Sequence, residues 1–307
     1  MKKVITAALV SALILSASGC SYSKPDDSLT TEDKTLVIEY ESDIIAERTP
    51  IYDNTAVVSA YKSGDASALS EFDKAIYDAA IAGISAFYHE GMSDTEIILA
   101  AHDYITTLCT YDVDEFALIP KRSENSESPY GALINKRAIC MGYTTSFQMF
   151  MDMLGVESII VRGEANDEEH AWNMVHIGEK WYHVDCTWDD YVPDYEGRPA
   201  VHIFYMITDS AAEVEHIWDR ESAPKADSEE LNYYRVNNLF AENDEQIEKI
   251  LTAAAEKGLT EAEFAIPKEY NTVNMCFPSF KGGIVYNYWP VEFDTYKVVV
   301  AHITLDK

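Results

Sequence analysis

The stretch Ala138-Ile139-Cys140-Met141-Gly142-Tyr143 organises the 307-residue chain, together with two echoes downstream, His170-Ala171-Trp172-Asn173 and Val184-Asp185-Cys186-Thr187-Trp188-Asp189. A cysteine, a histidine and an aspartate follow one another at separations of 30 and then 15 residues. Outward from Cys140, the residues Thr144, Phe147, Met151 and Leu154 recur at helical spacing and Gly155 supplies a stop. The pattern predicts a helix with Cys140 in its first turn. That position has chemical meaning, because the first N–H groups of a helix lack intrahelical partners and carry the positive end of its dipole, which stabilises a thiolate.

Beyond this helix, Val156 to Arg162 reads as a strand and Gly163 to Glu169 as an acidic loop. His170 to Ile177 and Trp181 to Thr187 then read as two strands of a β-hairpin around Gly178-Glu179-Lys180. Loop parity decides what this hairpin can do. With an even loop Ile177 opposes Lys180 and His170 opposes Thr187, so His170 and Asp185 are diagonal neighbours on one face, about 7 Å apart at the backbone. A three-residue loop places them on opposite faces.

Nucleophilic catalysis by cysteine needs a thiolate, a base that takes and returns a proton, and a group that orients the base. Cys140, His170 and Asp185 are the candidates for those roles. The segments around them, Ile139-Cys140-Met141-Gly142-Tyr143, His170-Ala171-Trp172-Asn173 and Trp181-Tyr182-His183-Val184-Asp185-Cys186-Thr187-Trp188-Asp189-Asp190, resemble the three signature motifs of the bacterial transglutaminase-like superfamily. The resemblance covers roughly residues 66 to 235, with Thr144 standing where a small Ala is common. It implies an α+β, papain-like core in which a helical N-terminal part packs on an antiparallel sheet carrying the His and Asp. It also implies acyl transfer: thiolate attack on a carboxamide or peptide carbonyl, protonation of the leaving amine by His170, and passage of the thioester to an amine or to water. The backbone N–H of Cys140 is an expected oxyanion donor and Tyr130 a candidate second one. Trp172 and Trp188 are expected to form core or cleft walls, and Cys186 to point to the other face of its strand from Asp185.

Upstream, Leu69, Phe72, Ile76, Ala79 or Ala80, and Phe87 predict a helix from Ala68 to His89. Ser93 and Glu96 form a capping-box signature for a second helix with Ile97, Ala100, Ala101, Tyr104 and Leu108 on one face. Leu36 to Tyr40 suggests a short strand, and Ile44 to Tyr61 yields no assignment. Downstream, Phe204 to Thr208 reads as a strand, Asn243 to Lys257 as an amphipathic helix, and the end of the chain as short strands such as Val298 to Thr304. The expected organisation is a transglutaminase-like domain over 34–238 and a small α+β domain over 239–307.

The first residues are different in kind. Lys2 and Lys3, an apolar run from Val4 to Leu15 and the small residues Ser16-Ala17-Ser18-Gly19 have the shape of an export signal over 1–19. Cys20 follows as in a bacterial lipobox, with Ala17 where Leu is usual, so the expectation is lipidation of Cys20, a flexible tether over 20–33, and an extracytoplasmic protein anchored to the membrane by its lipid. Removing residues 1–19 takes away two lysines and no acid, deepening a formal charge of −30 by two. Such a surface excludes nucleic acid as a partner, because phosphate binding needs clustered cations. Neutral or basic partners fit it, and the resemblance implies a peptide or protein substrate.

The wide spacing of Cys109, Cys140, Cys186 and Cys276 contains no C-x-x-C pair or zinc-ribbon pattern. His176 lies about 20 Å along its strand from His170, too far to share an ion; His183 with His170 and Asp185 is the one conceivable metal arrangement, and the reading calls for no metal or cofactor. Two functions compete: an exported cysteine acyl-transfer enzyme (transglutaminase, amidase or protease), and a catalytically inactive surface binding or scaffold module that keeps the same fold.

Overall fold

The computed structural model describes residues 50–113, 125–190, 200–271, 277 and 280–306. The expected export signal, Cys20, the tether, the Leu36 strand and Cys276 lie outside them. Residues Glu47–Lys307 form one compact unit. Three helices lead: α1 (Thr55–Ser63), α2 (Glu71–Phe87) and α3 (Asp94–Leu108), followed by the fully embedded α4 (Cys140–Leu154). α1 lies in the stretch that the sequence left unassigned, where Thr55, Val57 and Val58 obscure the period; both valines turn inward. α2 starts three residues later than expected because the Ser70 side chain accepts from the Asp73 N–H and caps it. At α3 the capping box forms as predicted: Ser93 N–H donates to Glu96 Oε2 at 2.8 Å and the Glu96 N–H to Ser93 Oγ at 3.4 Å. The buried face of α3 is rotated from the expected one and includes His102 with Ile97, Ile98, Ala101 and Ile105.

Five strands form the main antiparallel sheet: β3 (Ser158–Ala165), β4 (Glu168–Ile177), β5 (Lys180–Val184), β6 (Tyr205–Ile207) and β7 (His216–Trp218), in the order β6-β5-β4-β3-β7. Upstream, the two-residue strands β1 (Thr110–Tyr111) and β2 (Arg137–Ala138) pair in parallel and lead the chain into α4. Both faces of the main sheet are covered. On one side Val175, Tyr182 and Val184 join the cluster built by α1 to α4, while Val161, Trp172, Met174 and Ile207 join a second cluster that includes Ala265, Phe293, Tyr296, Val298 and Val300.

Those last residues follow the boundary expected near 238. There α5 (Asp244–Glu256) packs on a three-stranded sheet of β8 (Glu261–Pro267), β9 (Gly283–Glu292) and β10 (Tyr296–Leu305), ordered β8-β10-β9. The chain thus folds as an α+β protein with an antiparallel sheet flanked by helices. Among the described residues no helix is long and apolar enough to cross a membrane.

Candidate active site

Cys140 is the first residue of α4, whose residues are buried around nearly the whole helix, with only Gln148, Asp152 and Leu154 partly accessible. A helix apolar on every side belongs inside a core, so the thiol is delivered from the most constrained element of the fold. Its first turn is braced by the segment before it: the Ile139 N–H donates to the Ser126 carbonyl at 3.1 Å. Gly142 is required there, since a Cβ would lie 2.5 Å from that same carbonyl oxygen. Thr144, the departure noted in the sequence, clamps the helix to β4: its hydroxyl donates to the Ala171 carbonyl at 2.9 Å and the Asn173 side-chain amide donates to the Thr144 carbonyl at 3.3 Å. One turn of helix from the thiol, this pair fixes α4 against the strand that carries His170.

The hairpin loop is Gly178-Glu179, an even loop, with Ile177 opposite Lys180 and Asn173 opposite Val184. Gly178, at φ +64°, supplies the left-handed backbone that the tight turn requires. His170 and Asp185 meet, with Nε2–H donating to Oδ2 at 2.6 Å. The Cys140 thiol lies close enough to the His170 ring to contribute to the rise in its pKa. The Cys-His-Asp set is buried, with Cys140 4%, His170 9% and Asp185 2% exposed.

Electrostatics follow from this packing. Burial alone would lower the His170 pKa, but the charge and hydrogen bond of Asp185, with Cys140 beside it, reverse that and raise it to about 10. Burial would likewise raise Asp185, yet its two histidine partners hold it well below the usual carboxylate range. The carboxylate is anchored further on its other oxygen, where Oδ1 accepts the Thr187 N–H at 2.9 Å and the Trp188 N–H at 3.1 Å.

The second histidine partner, His216, was not singled out from the sequence. It sits on the edge strand β7 and its Nε2 lies 2.9 Å from Asp185 Oδ2, the oxygen that also receives His170. It is 2% exposed, and its Nδ1 has no hydrogen-bond partner. A local signal existed, because His216 and Trp218 are buried while Ile217 between them is exposed, a period-2 strand with an inward histidine. What no local signal gave is that β7 pairs with β3, through Gly163 opposite Trp218. A Cβ at Gly163 would lie 2.1 Å from the Ile217 carbonyl oxygen, so glycine is what lets β7 come close.

Trp172 stacks on His170 at 5.8 Å between ring centroids and Trp188 meets it edge-on at 6.1 Å, so both enclose the imidazole. Trp172 is also tied down by donating its indole N–H to His183 Nδ1 at 2.9 Å. That bond, with Asp209 2.9 Å from His183 Nε2, takes His183 away from His170 and Asp185, so the metal arrangement conceived from the sequence does not assemble. Tyr130 opens a single turn of π-helix (Tyr130–Asn135) and stacks on Phe72 at 5.1 Å. Cys109, Cys140 and Cys186 are free thiols. Burial pushes the Cys109 thiol up to about 12, and burial with the nearby Asp185 and Asp189 carboxylates pushes Cys186 well above the ordinary range. Both are inert thiols in the core.

Residues 85–186, which include Cys140, His170 and Asp185, match the family model of the transglutaminase-like superfamily. The chain is 24% identical over 147 residues to kyphoscoliosis peptidase of Mus musculus and 22% identical over 212 residues to that of Homo sapiens. These alignments take in 43% and 64% of this chain, and it spans only 22% and 31% of the length of the two relatives. A crystal structure of a TGase is similar with a TM-score of 0.33 and 16% identity, over 46% of this chain and 39% of that one.

Proposed function

We propose that this protein is a cysteine acyl-transfer enzyme acting on glutamine or peptide amides of peptide or protein substrates, as a transglutaminase, amidase or protease. The observation that carries the reading is the buried His170–Asp185 hydrogen bond at 2.6 Å beside Cys140, with the thiol at a helix N-terminus. In this reading Asp185 holds His170 as the imidazolium, which stabilises the Cys140 thiolate beside it. The thiolate attacks the amide carbonyl, and the developing oxyanion is met by the backbone N–H of Cys140, at the start of the helix. His170 then gives its proton to the leaving amine, and the thioester passes to water or to a second amine with His170 acting as base. His216 is a positioning residue that fixes the Asp185 carboxylate.

We further propose, from the pattern of residues 1–20, that the enzyme is exported and tethered to the outer face of a membrane through lipidated Cys20. Incorporation of labelled palmitate, lost in Cys20→Ala, tests that part separately.

The test of the chemistry is incubation of the protein with glutamine-containing peptides and a labelled primary amine. Amine incorporation with ammonia release identifies a transferase, ammonia release alone an amidase, and new peptide termini a protease. All three should vanish in Cys140→Ala. An unreactive protein with an intact fold, whose Cys140 also resists iodoacetamide at neutral pH, would leave the scaffold reading in possession.

A further inference from the structure

A second cluster of histidines and carboxylates lies outside the Cys-His-Asp chain. Asp103 Oδ1 stands 3.0 Å from His102 Nδ1 and 2.9 Å from His202 Nε2, so two imidazole nitrogens converge on one carboxylate oxygen. Each ring is held from behind by another carboxylate. His102 Nε2 lies 3.0 Å from Asp189 Oδ2, and His202 Nδ1 lies 2.5 Å from Glu263 Oε1. Those two acids are themselves fixed, Asp189 by the Phe204 N–H at 2.8 Å and Glu263 by the Tyr234 hydroxyl at 2.9 Å and the His202 N–H at 3.0 Å.

The pattern is that of a metal site. Histidines that ligate metals place one nitrogen on the ion and donate the other N–H to a carboxylate or carbonyl, which fixes the tautomer and the ring plane. Here both histidines have that backing, and their front nitrogens, with Asp103 Oδ1, lie within 4.8 Å of one another. Ligands around a tetrahedral ion with bonds of about 2.0–2.2 Å stand roughly 3.4 Å apart, so Asp103 Oδ1 need withdraw from each nitrogen by only about half an ångström to admit an ion. Asp103, the member that would move, is the accessible one, with 43% of its side chain exposed while His102 is wholly buried. A cavity of about 900 Å³, lined by Asp103, His202 and Glu263 among others, gives a path for an ion and room for a water as fourth ligand.

We propose that His102, Asp103 and His202 bind one divalent transition-metal ion, zinc by the character of the donors, with Asp189 and Glu263 as the supporting carboxylates. The ion would tie together four separate parts of the chain: α3, the turn after β5, the segment entering β6, and β8 of the C-terminal sheet. Asp189 also belongs to the turn that begins at Asp185, its N–H donating to the Asp185 carbonyl at 3.2 Å. Metal occupancy therefore stiffens the loop carrying the third member of the Cys-His-Asp chain without a ligand in common with it.

The test is titration of the metal-stripped full chain with Co²⁺, followed by visible absorption, and competition by Zn²⁺. One saturable equivalent with ligand-field bands and no thiolate-to-cobalt charge transfer is expected, retained in Cys140→Ser and abolished in Asp103→Asn and His202→Gln. Glu263→Gln should weaken binding by about 10- to 100-fold without abolishing it. Asp103 faces the cavity, so Asp103→Asn should keep its far-UV circular dichroism and decides the matter if His202→Gln does not fold. The proposal is overturned by the lack of a stoichiometric cobalt spectrum, by a spectrum that survives Asp103→Asn, or by one with thiolate character that Cys140→Ser removes.

Discussion

Asp185 receives two imidazoles on one oxygen and two backbone N–H groups on the other, and the roles of the two imidazoles can be separated. In the proposed mechanism His170 carries the proton, and His216 holds the carboxylate that steadies it. Replacing His216 by Phe keeps the aromatic packing against Trp172 and Trp188 and deletes one hydrogen bond to a charged acceptor, about 1.5–3 kcal/mol. The alkylation rate of Cys140 by iodoacetamide, and kcat, should fall about tenfold to a hundredfold with KM unchanged; a His216→Phe protein as reactive as the wild type would remove His216 from the machinery. The raised His170 pKa has a stability consequence with a definite sign. A group whose folded pKa is about 10 against roughly 6.5 unfolded contributes fully below about pH 6.5 and loses that contribution as pH rises toward 10. Urea denaturation from pH 6 to 10 should therefore show the advantage of the wild type over His170→Gln shrinking as pH increases; a constant gap would mean that His170 is not charged in the native state.

At the scale of elements, function depends on how α4 is seated against β4. The Thr144 hydroxyl and the Asn173 amide are reciprocal donors across that joint. Thr144→Val preserves shape and strands the buried Ala171 carbonyl, which should cost about 1–3 kcal/mol by denaturant unfolding and slow Cys140 alkylation, whereas Thr144→Ser should restore both. The hairpin and α4 were legible in the sequence because their signals are local, a helical period with a glycine stop and two strand-like runs around Gly178, whereas the even parity of the loop came from the pairing of Ile177 with Lys180 in the structure. The capping box at Ser93 was legible for the same reason. His216 was not, because its meaning comes from β7 crossing to the far edge of the sheet. The inward turn of His102 was hidden too, since helical periodicity reads apolar side chains and a buried histidine is polar by composition. Tyr130, named from its closeness in sequence to Cys140, has its ring stacked on Phe72, a contact that no local signal gave.

Taken whole, the molecule has its catalytic-type sheet covered on both faces, and the second cover comes from beyond residue 238. Phe293, Tyr296, Val298 and Val300 share a core with Val161 and Trp172, the indole stacked on His170. A chain ended at Asn238 should lose near-UV circular dichroism and bind a hydrophobic dye; a sharp, cooperative unfolding transition in that fragment would show that residues 50–238 stand alone. The formal charge of −30 is carried mostly outside, but acids such as Asp185 and Asp189 are buried. Inside, a carboxylate has about four acceptor positions, and Asp185 fills all of them with neighbours of its own chain. It consequently has no acceptor position left for anything that enters. In the proposed reading His170 is neutral once it has given its proton to the leaving amine, so an incoming ammonium would find its base in His170 and not in Asp185. Selection between amine and water would thus turn on one imidazole, kept in place by the same four bonds that hold Asp185 still.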